Sequence, residues 1–184
     1  MSPVRTEIRF GGFGGQGIVL AGTLLGKAAS LYDGREAVFT QSYGPEARGG
    51  ASRADVIIAE EPVDYPFVKQ PDVLAVLFQE AYGKFHGDLR PDGLLIIEED
   101  LVTPEQGHDA ITLPATRIAE ELGRRIVANV VVLGCLLRHT SVVSRDAMEQ
   151  AIRDTVKPAA VELNLDALSA GFEHGAAASA EAGV

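Results

Sequence analysis

The sequence predicts an α/β protein with a mainly parallel, mixed sheet between layers of helices. Short apolar runs of strand length alternate with longer segments of helical periodicity. Several of the runs are apolar at nearly every position, which is typical of strands covered on both faces. Only about a dozen residues separate the second and third predicted strands, and a helical crossover needs at least that many. We therefore expect at least one antiparallel pair in the sheet.

The elements follow one another in an alternating order. The predicted strands are 6–10, 37–41, 56–59 with a start near Ser52, 73–78, 93–99 and 109–115. The predicted helices are 17–32, a short helix or turn at 79–89, 116–123, 126–140, 145–156 and a last helix opened by Pro158. Thr116 and Ser144 are the expected N-caps, and TPEQ at 103–106 has the form of a capping box, although Gly107 allows at most one turn after it. Residues 1–174 form one predicted domain, and the Ala- and Ser-rich residues 175–184 a flexible tail.

Composition and charge exclude several classes of protein. The 184 residues carry a formal net charge of −10, which argues against a basic surface that follows nucleic-acid phosphates. The apolar runs are too short to span a membrane. The N-terminal segment has no apolar core of a secretory signal, so we expect a cytoplasmic protein without a membrane span.

Cys135 is the single cysteine, and it lies in an apolar helical run. One thiolate cannot supply the four ligands of an iron–sulfur cluster or of a structural zinc site, so we expect a small buried hydrophobe. The four histidines, His86, His108, His139 and His174, show no metal-binding spacing. Glu98, Glu99 and Asp100 are interpreted as a solvated strand end rather than a magnesium site.

A glycine-rich loop, GGFGGQG at 11–17, directly follows the first predicted strand. Gly12, Gly14 and Gly17 fit G-x-G-x-x-G, and Gly15 and Gln16 lie between them. Glycine permits positive φ, which we expect at Gly14, and main-chain N–H groups beside a helix N-terminus can bind an anion. The alternative is a tight strand-to-helix turn with no ligand.

A nicotinamide dinucleotide would also require an acidic side chain at the end of the second strand. Gln41 and Ser42 stand there instead, which disfavours NAD. The irregular segment 42–55 that follows carries Glu46, Arg48 and Arg53. These side chains either contact an anion or form an internal network that shapes the loop. Asn129, polar within an apolar helix, is expected to be a satisfied hydrogen-bonding group that fixes the chain.

Three motifs, GFGGQG, QSYGPEARGG and RIAEELG…IVANVVVLG, resemble the gamma subunits of 2-oxoacid:ferredoxin oxidoreductases. The resemblance covers about 6–174, and implies a Rossmann-like three-layer sandwich. It also implies oxidative decarboxylation of a 2-oxoacid with coenzyme A, giving an acyl-CoA, carbon dioxide and a reduced acceptor. The family includes enzymes for pyruvate, 2-oxoglutarate, 2-oxoisovalerate, indolepyruvate and phenylglyoxylate.

The same resemblance assigns the cofactors to partner subunits. Thiamine diphosphate with Mg²⁺ belongs to the alpha and beta subunits, and [4Fe–4S] clusters belong to the beta and delta-type subunits. Ferredoxin or an NAD-reducing flavin subunit would accept the electrons. This chain would hold no cofactor by itself, and would contact coenzyme A or a partner subunit through Gly12, Gly14, Gly15, Gln16, Gly17, Glu46 and Arg48. A freestanding nucleotide-binding module remains the alternative.

Overall fold

A computed structural model describes the backbone of residues 5–42 and 50–181, with side chains as far as Gly175. The six strands are β1 Arg5–Phe13, β2 Glu36–Ser42, β3 Ala51–Ala59, β4 Val73–Val76, β5 Leu94–Glu98 and β6 Ile111–Leu113. They form one sheet in the order β2-β3-β1-β4-β5-β6. The β1–β4, β4–β5 and β5–β6 pairs are parallel, and the β1–β3 and β2–β3 pairs are antiparallel. The predicted mixed, mainly parallel sheet is confirmed.

Six α-helices cover the sheet: α1 Ile18–Lys27, α2 Gln79–Phe85, α3 Ala115–Glu121, α4 Ala128–Thr140, α5 Arg145–Thr155 and α6 Val161–Glu181. A π-helical turn extends α1 through Tyr32, and 3₁₀ turns precede α4 and α6. Side chains of α1, α4, α5 and α6 share one apolar core with one face of the sheet, whereas α2 packs in a smaller core on the other face. The predicted α/β fold is therefore confirmed.

Two expectations about helix ends differ from the structure. Pro114 is the N-cap of α3, so Thr116 lies inside that helix and does not cap it. The TPEQ segment leads only into a turn at 106–107, which agrees with the expected limit of one turn before Gly107. The last helix continues past residue 174 to Glu181, so the predicted tail boundary falls within a helix. The Ser144 cap is confirmed, because its Oγ accepts a hydrogen bond from the Ala147 N–H at 3.1 Å.

Helices α4 and α6 approach each other backbone to backbone. A Cβ placed on Gly134 would lie 2.1 Å from the Leu168 carbonyl oxygen, and one on Gly171 would lie 1.9 Å from the Val131 carbonyl oxygen. Only glycine permits so close a contact. This contact seats α4, whose residues Ala128 to Leu137 are all buried, as the central helix that the apolar sequence predicts.

An ion pair inside the sheet fixes how β1 meets its antiparallel neighbour. Arg9 and Asp55 lie directly opposite each other on β1 and β3. The Arg9 guanidinium is 1% exposed and donates to both carboxylate oxygens of Asp55, at 2.8 and 3.0 Å. It also donates to Asp88 and to the Val68 carbonyl oxygen. Because these donors are satisfied together, the buried charge specifies the register of the pair.

Among the described residues, no helix has the length and apolarity that crossing a bilayer requires.

Candidate functional site

The glycine-rich loop connects the end of β1 to α1 at one edge of the sheet. Phe13 ends β1, Gly14 and Gly15 form the turn, and Ile18 begins α1. Parallel β4 ends at the same edge, as does β2, and antiparallel β3 begins there opposite Phe13. The loop therefore lies where α/β proteins commonly bind ligands.

Gln16 braces this loop with every polar atom of its side chain. Its Oε1 accepts from the Phe13 N–H at 2.7 Å, and its Nε2 donates to the Leu77 carbonyl oxygen at 2.9 Å. Its own N–H donates to the Phe13 carbonyl oxygen at 3.1 Å. Because these bonds join the loop to the end of β4, Gln16 holds the loop in place against the sheet.

The loop glycines have different reasons to be glycine. Gly15 and Gly17 have φ of 97° and 74°, the left-handed region that favours glycine. A Cβ on Gly12 would lie 2.8 Å from Ile18 Cγ2, so close packing explains this glycine. Gly14 does not have positive φ, and no heavy atom of the described residues lies within 4 Å of where its Cβ would be. The expectation of positive φ at Gly14 is therefore wrong, because the turn reverses one residue later.

Asn129 near the start of α4 holds the other end of the loop. Its side chain is 2% exposed, and its Nδ2 donates to the Gly17 carbonyl oxygen at 2.9 Å. The prediction of a satisfied amide that fixes the chain is confirmed. The bond joins α1 and α4 at the edge where the loop opens to solvent.

A cleft opens beside the loop as two adjoining cavities of about 240 and 350 Å³, and we call their union the glycine-loop cleft. Both cavities are lined by Gly15, Gln16 and Arg125. The smaller one is also lined by Leu77, Thr116, Ile126 and Ala128, and the larger one by Phe13, Gly14, Phe78 and Leu101. Apolar walls with a few polar groups are the usual composition of a small-molecule site.

Among the described residues that line this cleft, Arg125 carries the positive charge. It is exposed, it starts the 3₁₀ turn before α4, and no carboxylate of the described residues lies within salt-bridge distance of it. Ile126 and Phe13, which also line the cleft, are 57% and 40% exposed, respectively, so large apolar side chains lie beside this cation at the surface. An unpaired guanidinium among apolar walls is suited to an anionic group on an otherwise apolar ligand or partner.

Residues 7–174 match the pyruvate ferredoxin/flavodoxin oxidoreductase family. The chain belongs to this family. The predicted resemblance to gamma subunits of 2-oxoacid:ferredoxin oxidoreductases is thereby confirmed.

Relatives of similar length match this chain over more than nine tenths of its residues. A 2-oxoglutarate synthase subunit from Methanocaldococcus jannaschii is 53% identical, with 92% of this chain and 94% of that one covered. A pyruvate synthase subunit from Methanothermobacter marburgensis is 34% identical, with 91% and 96% covered. A solved keto/oxoacid ferredoxin oxidoreductase gamma subunit from Geobacter sulfurreducens is 47% identical, with a TM-score of 0.86 and 95% and 98% covered.

The environment of Glu98 differs from the predicted one. It ends β5 but is 1% exposed, so the expectation of a solvated strand end is wrong for this residue. Its Oε1 accepts from the Thr116 N–H at 3.3 Å, whereas its Oε2 has no partner among the described residues. Burial raises the pKa of this carboxyl group. Glu99 and Asp100 do face solvent, where both pair with Arg117.

Among the predicted site residues, Gly14, Gly15 and Gln16 line the cleft, whereas Gly12 and Gly17 belong to the same loop segment but do not line it. Glu46 and Arg48 lie outside the described residues. Arg125 is not among the site residues predicted from the sequence. The sequence feature that could have indicated it is a pair of adjacent arginines before a buried helix in an acidic chain.

The structure also shows the environments of the cysteine and of two histidines. Cys135 is buried, as predicted, and desolvation raises the pKa of its thiol to about 12. His86 and His108, which lack metal-binding spacing in the sequence, lie close together with Glu105 in the fold.

Proposed function

We propose that this chain is the gamma subunit of a complex that oxidises 2-oxoglutarate. In the overall reaction, 2-oxoglutarate and coenzyme A give succinyl-CoA and carbon dioxide, and two electrons pass to the acceptor. The 53% identity to a 2-oxoglutarate synthase subunit carries this proposal. The lower identities to two pyruvate synthase subunits, 34% and 36%, favour 2-oxoglutarate over pyruvate.

The redox and thiamine chemistry belongs to partner subunits in this proposal. The single cysteine lies in the core, and its raised thiol pKa opposes the thiolate form that a cluster ligand requires. We therefore assign thiamine diphosphate with Mg²⁺ to alpha and beta subunits, and iron–sulfur clusters to beta and delta-type subunits. Ferredoxin, or an NAD-reducing flavin subunit, accepts the electrons.

We assign a contact with coenzyme A to the glycine-loop cleft. Coenzyme A combines phosphate groups with a long, weakly polar arm, and the cleft combines the Arg125 guanidinium with apolar walls. The main-chain N–H groups at the start of α1 add a favourable dipole for a phosphate. Arg48 belongs to the same proposal, because the described ends of β2 and β3 that flank its loop lie at this edge.

A freestanding dinucleotide-binding module is disfavoured by the strand order. In a dinucleotide-binding fold, a parallel second strand lies beside the first and its end carries the acid that binds the ribose. Here antiparallel β3 occupies that place, and β2, which ends at Ser42, is displaced to the edge of the sheet.

The test is kinetics of the reconstituted complex with an Arg125→Ala gamma subunit. A charge-assisted contact contributes about 1.5–3 kcal/mol, so the KM for coenzyme A should rise by roughly 10- to 100-fold. The KM for 2-oxoglutarate should remain unchanged, because that substrate reacts at the thiamine of the partner subunits. Arg124→Ala is the matched control. This substitution removes the same charge from a neighbouring exposed arginine that does not line the cleft.

Three results separate the parts of the proposal. Normal assembly with an unchanged dependence on coenzyme A refutes the ligand contact at Arg125. Loss of co-elution with the larger subunits in the Arg125→Ala variant assigns the cleft to a subunit interface instead. A wild-type complex that turns over pyruvate but not 2-oxoglutarate refutes the assignment of 2-oxoglutarate as the substrate.

A further inference from the structure

A second cluster of polar side chains lies beside the C-terminal end of α2, the helix that packs in the smaller core. His86 follows α2 directly, and Glu105 and His108 lie on the connection between β5 and β6. One potential ligand atom from each of the three side chains lies within 4.8 Å of the other two. We propose that this cluster binds a divalent transition metal of the Zn²⁺ class, with His86, Glu105 and His108 as its ligands.

The orientation of His86 suits it for ligation through Nε2. Its Nδ1 lies 2.9 Å from the Tyr82 carbonyl oxygen. A carbonyl oxygen can only accept, so Nδ1 carries the proton of this bond and the neutral ring keeps a lone pair on Nε2. That Nε2 is the atom facing Glu105, 3.5 Å from its Oε1. Stacking on the Tyr82 ring, with 4.7 Å between centroids, fixes the plane of the imidazole.

The Tyr82 hydroxyl orients the other two ligands. His108 Nδ1 lies 2.6 Å from this oxygen, and the Glu105 N–H donates to it at 3.0 Å. Two lone pairs on the hydroxyl oxygen can accept both bonds, which leaves His108 Nε2 for the metal. Outer hydrogen bonds of this kind, from the second ring nitrogen of each histidine, are usual for histidine ligands.

One of the three ligand separations already matches a tetrahedral ion, and the other two are at most 4.8 Å. Zn–N and Zn–O bonds of about 2.0–2.2 Å place neighbouring ligand atoms roughly 3.3–3.6 Å apart. The separation of His86 Nε2 from Glu105 Oε1 already has this value. Glu105 and His108 are exposed, so rotation of the Glu105 side chain and a small shift of the connection that carries His108 can close the remaining separations without moving the core.

The surroundings favour a site with one open position. His86 and His108 both line a cavity of about 390 Å³, from which water can supply a fourth ligand. The β5–β6 connection is already joined to the start of α2, because Gln79 exchanges two hydrogen bonds with the backbone of Thr103. A metal would join the same connection to the other end of α2. Two imidazoles and one carboxylate select Zn²⁺ over Mg²⁺, which prefers oxygen ligands.

The test is Zn²⁺ binding by the untagged full chain in competition with a chromophoric chelator of micromolar affinity. We expect one Zn²⁺ per chain, no competition from Mg²⁺, and the absorption of a four-coordinate site when Co²⁺ replaces Zn²⁺. His86→Gln, His108→Gln and Glu105→Gln should each weaken Zn²⁺ binding at least tenfold. Tyr82→Phe keeps the stacked ring and should weaken it by about 10- to 100-fold through the lost orientation.

His174→Gln is the matched control, because it removes a histidine of α6 far along the chain from the cluster and should leave Zn²⁺ affinity unchanged. Glu105 has a 65% exposed side chain, so Glu105→Gln keeps the proposal testable if a histidine variant fails to fold. A wild-type chain that takes no Zn²⁺ from the chelator overturns the proposal. Equal Zn²⁺ affinity in the wild-type and Glu105→Gln chains does so as well.

Discussion

Substitution of Gly17 by alanine should destabilise the fold at the start of α1. Gly17 has φ of 74° and ψ of 21°, and an added Cβ would lie 2.6 Å from Asn129 Nδ2. A left-handed conformation costs an L-residue about 1–2 kcal/mol. Displacing Asn129 also breaks its bond to the Gly17 carbonyl oxygen and leaves a buried amide without a partner, at about 1–3 kcal/mol. The expected loss is therefore about 2–5 kcal/mol.

The assay is urea denaturation of the isolated chain, followed by circular dichroism. Gly17→Ala should lower the denaturation midpoint without changing the slope m. Gly14→Ala is the matched control in the same loop, because Gly14 has neither positive φ nor a described heavy atom near its Cβ position. Its stability should remain within about 0.5 kcal/mol of the wild type.

A double-mutant cycle with Asn129→Ala separates the two causes. In the Asn129→Ala background the steric conflict is gone, so Gly17→Ala should then cost only the backbone term of about 1–2 kcal/mol. An unchanged cost in that background would show that the contact with Asn129 is not responsible. Equal stability of the Gly17→Ala and Gly14→Ala chains would refute the whole argument.

Two further predictions concern buried positions. The pKa of Glu98 is raised in the folded chain, so its carboxyl group lowers stability as the pH rises above the unfolded value of about 4.3, and most above the folded pKa. Glutamine cannot ionise, so the free energy of unfolding of Glu98→Gln should increase relative to that of the wild type from pH 4 to pH 8. A difference between the two proteins that stays constant with pH would contradict this. Gly134→Ala should cost about 1–3 kcal/mol or more in denaturation, since the added Cβ meets the Leu168 carbonyl oxygen. Gly26→Ala, in helix α1 with open space among the described residues, should instead stabilise by about 0.5–1 kcal/mol, and the reverse order of these two variants would disprove the packing argument.

Local patterns were sufficient for the elements and for most of their order. The all-round apolar segment 126–140 predicted a buried helix because burial on every side requires apolar residues on every side. The short connection before β3 predicted antiparallel pairing because so few residues cannot form a crossover. The Ser144 cap could also be predicted from the sequence, since its side chain bonds to a backbone group only three residues away.

Local patterns failed where the outcome depends on a distant neighbour. The sequence could not distinguish Gly14 from Gly15, because the turn position depends on how Gln16 bonds to Leu77. It could not distinguish a buried Glu98 from a solvated Glu99, because the covering segment begins at Thr116.

The sequence alone determined the α/β class, the glycine-rich loop after the first strand and the exclusion of a four-cysteine cluster. These conclusions depend on composition and on spacing within one element, which every chain with this sequence retains. Only the tertiary structure placed Arg125 beside the glycine loop and brought His86 to His108 and Glu105. Such sites form between segments far apart in the chain, so their geometry depends on the packing of helices and strands and has no local pattern.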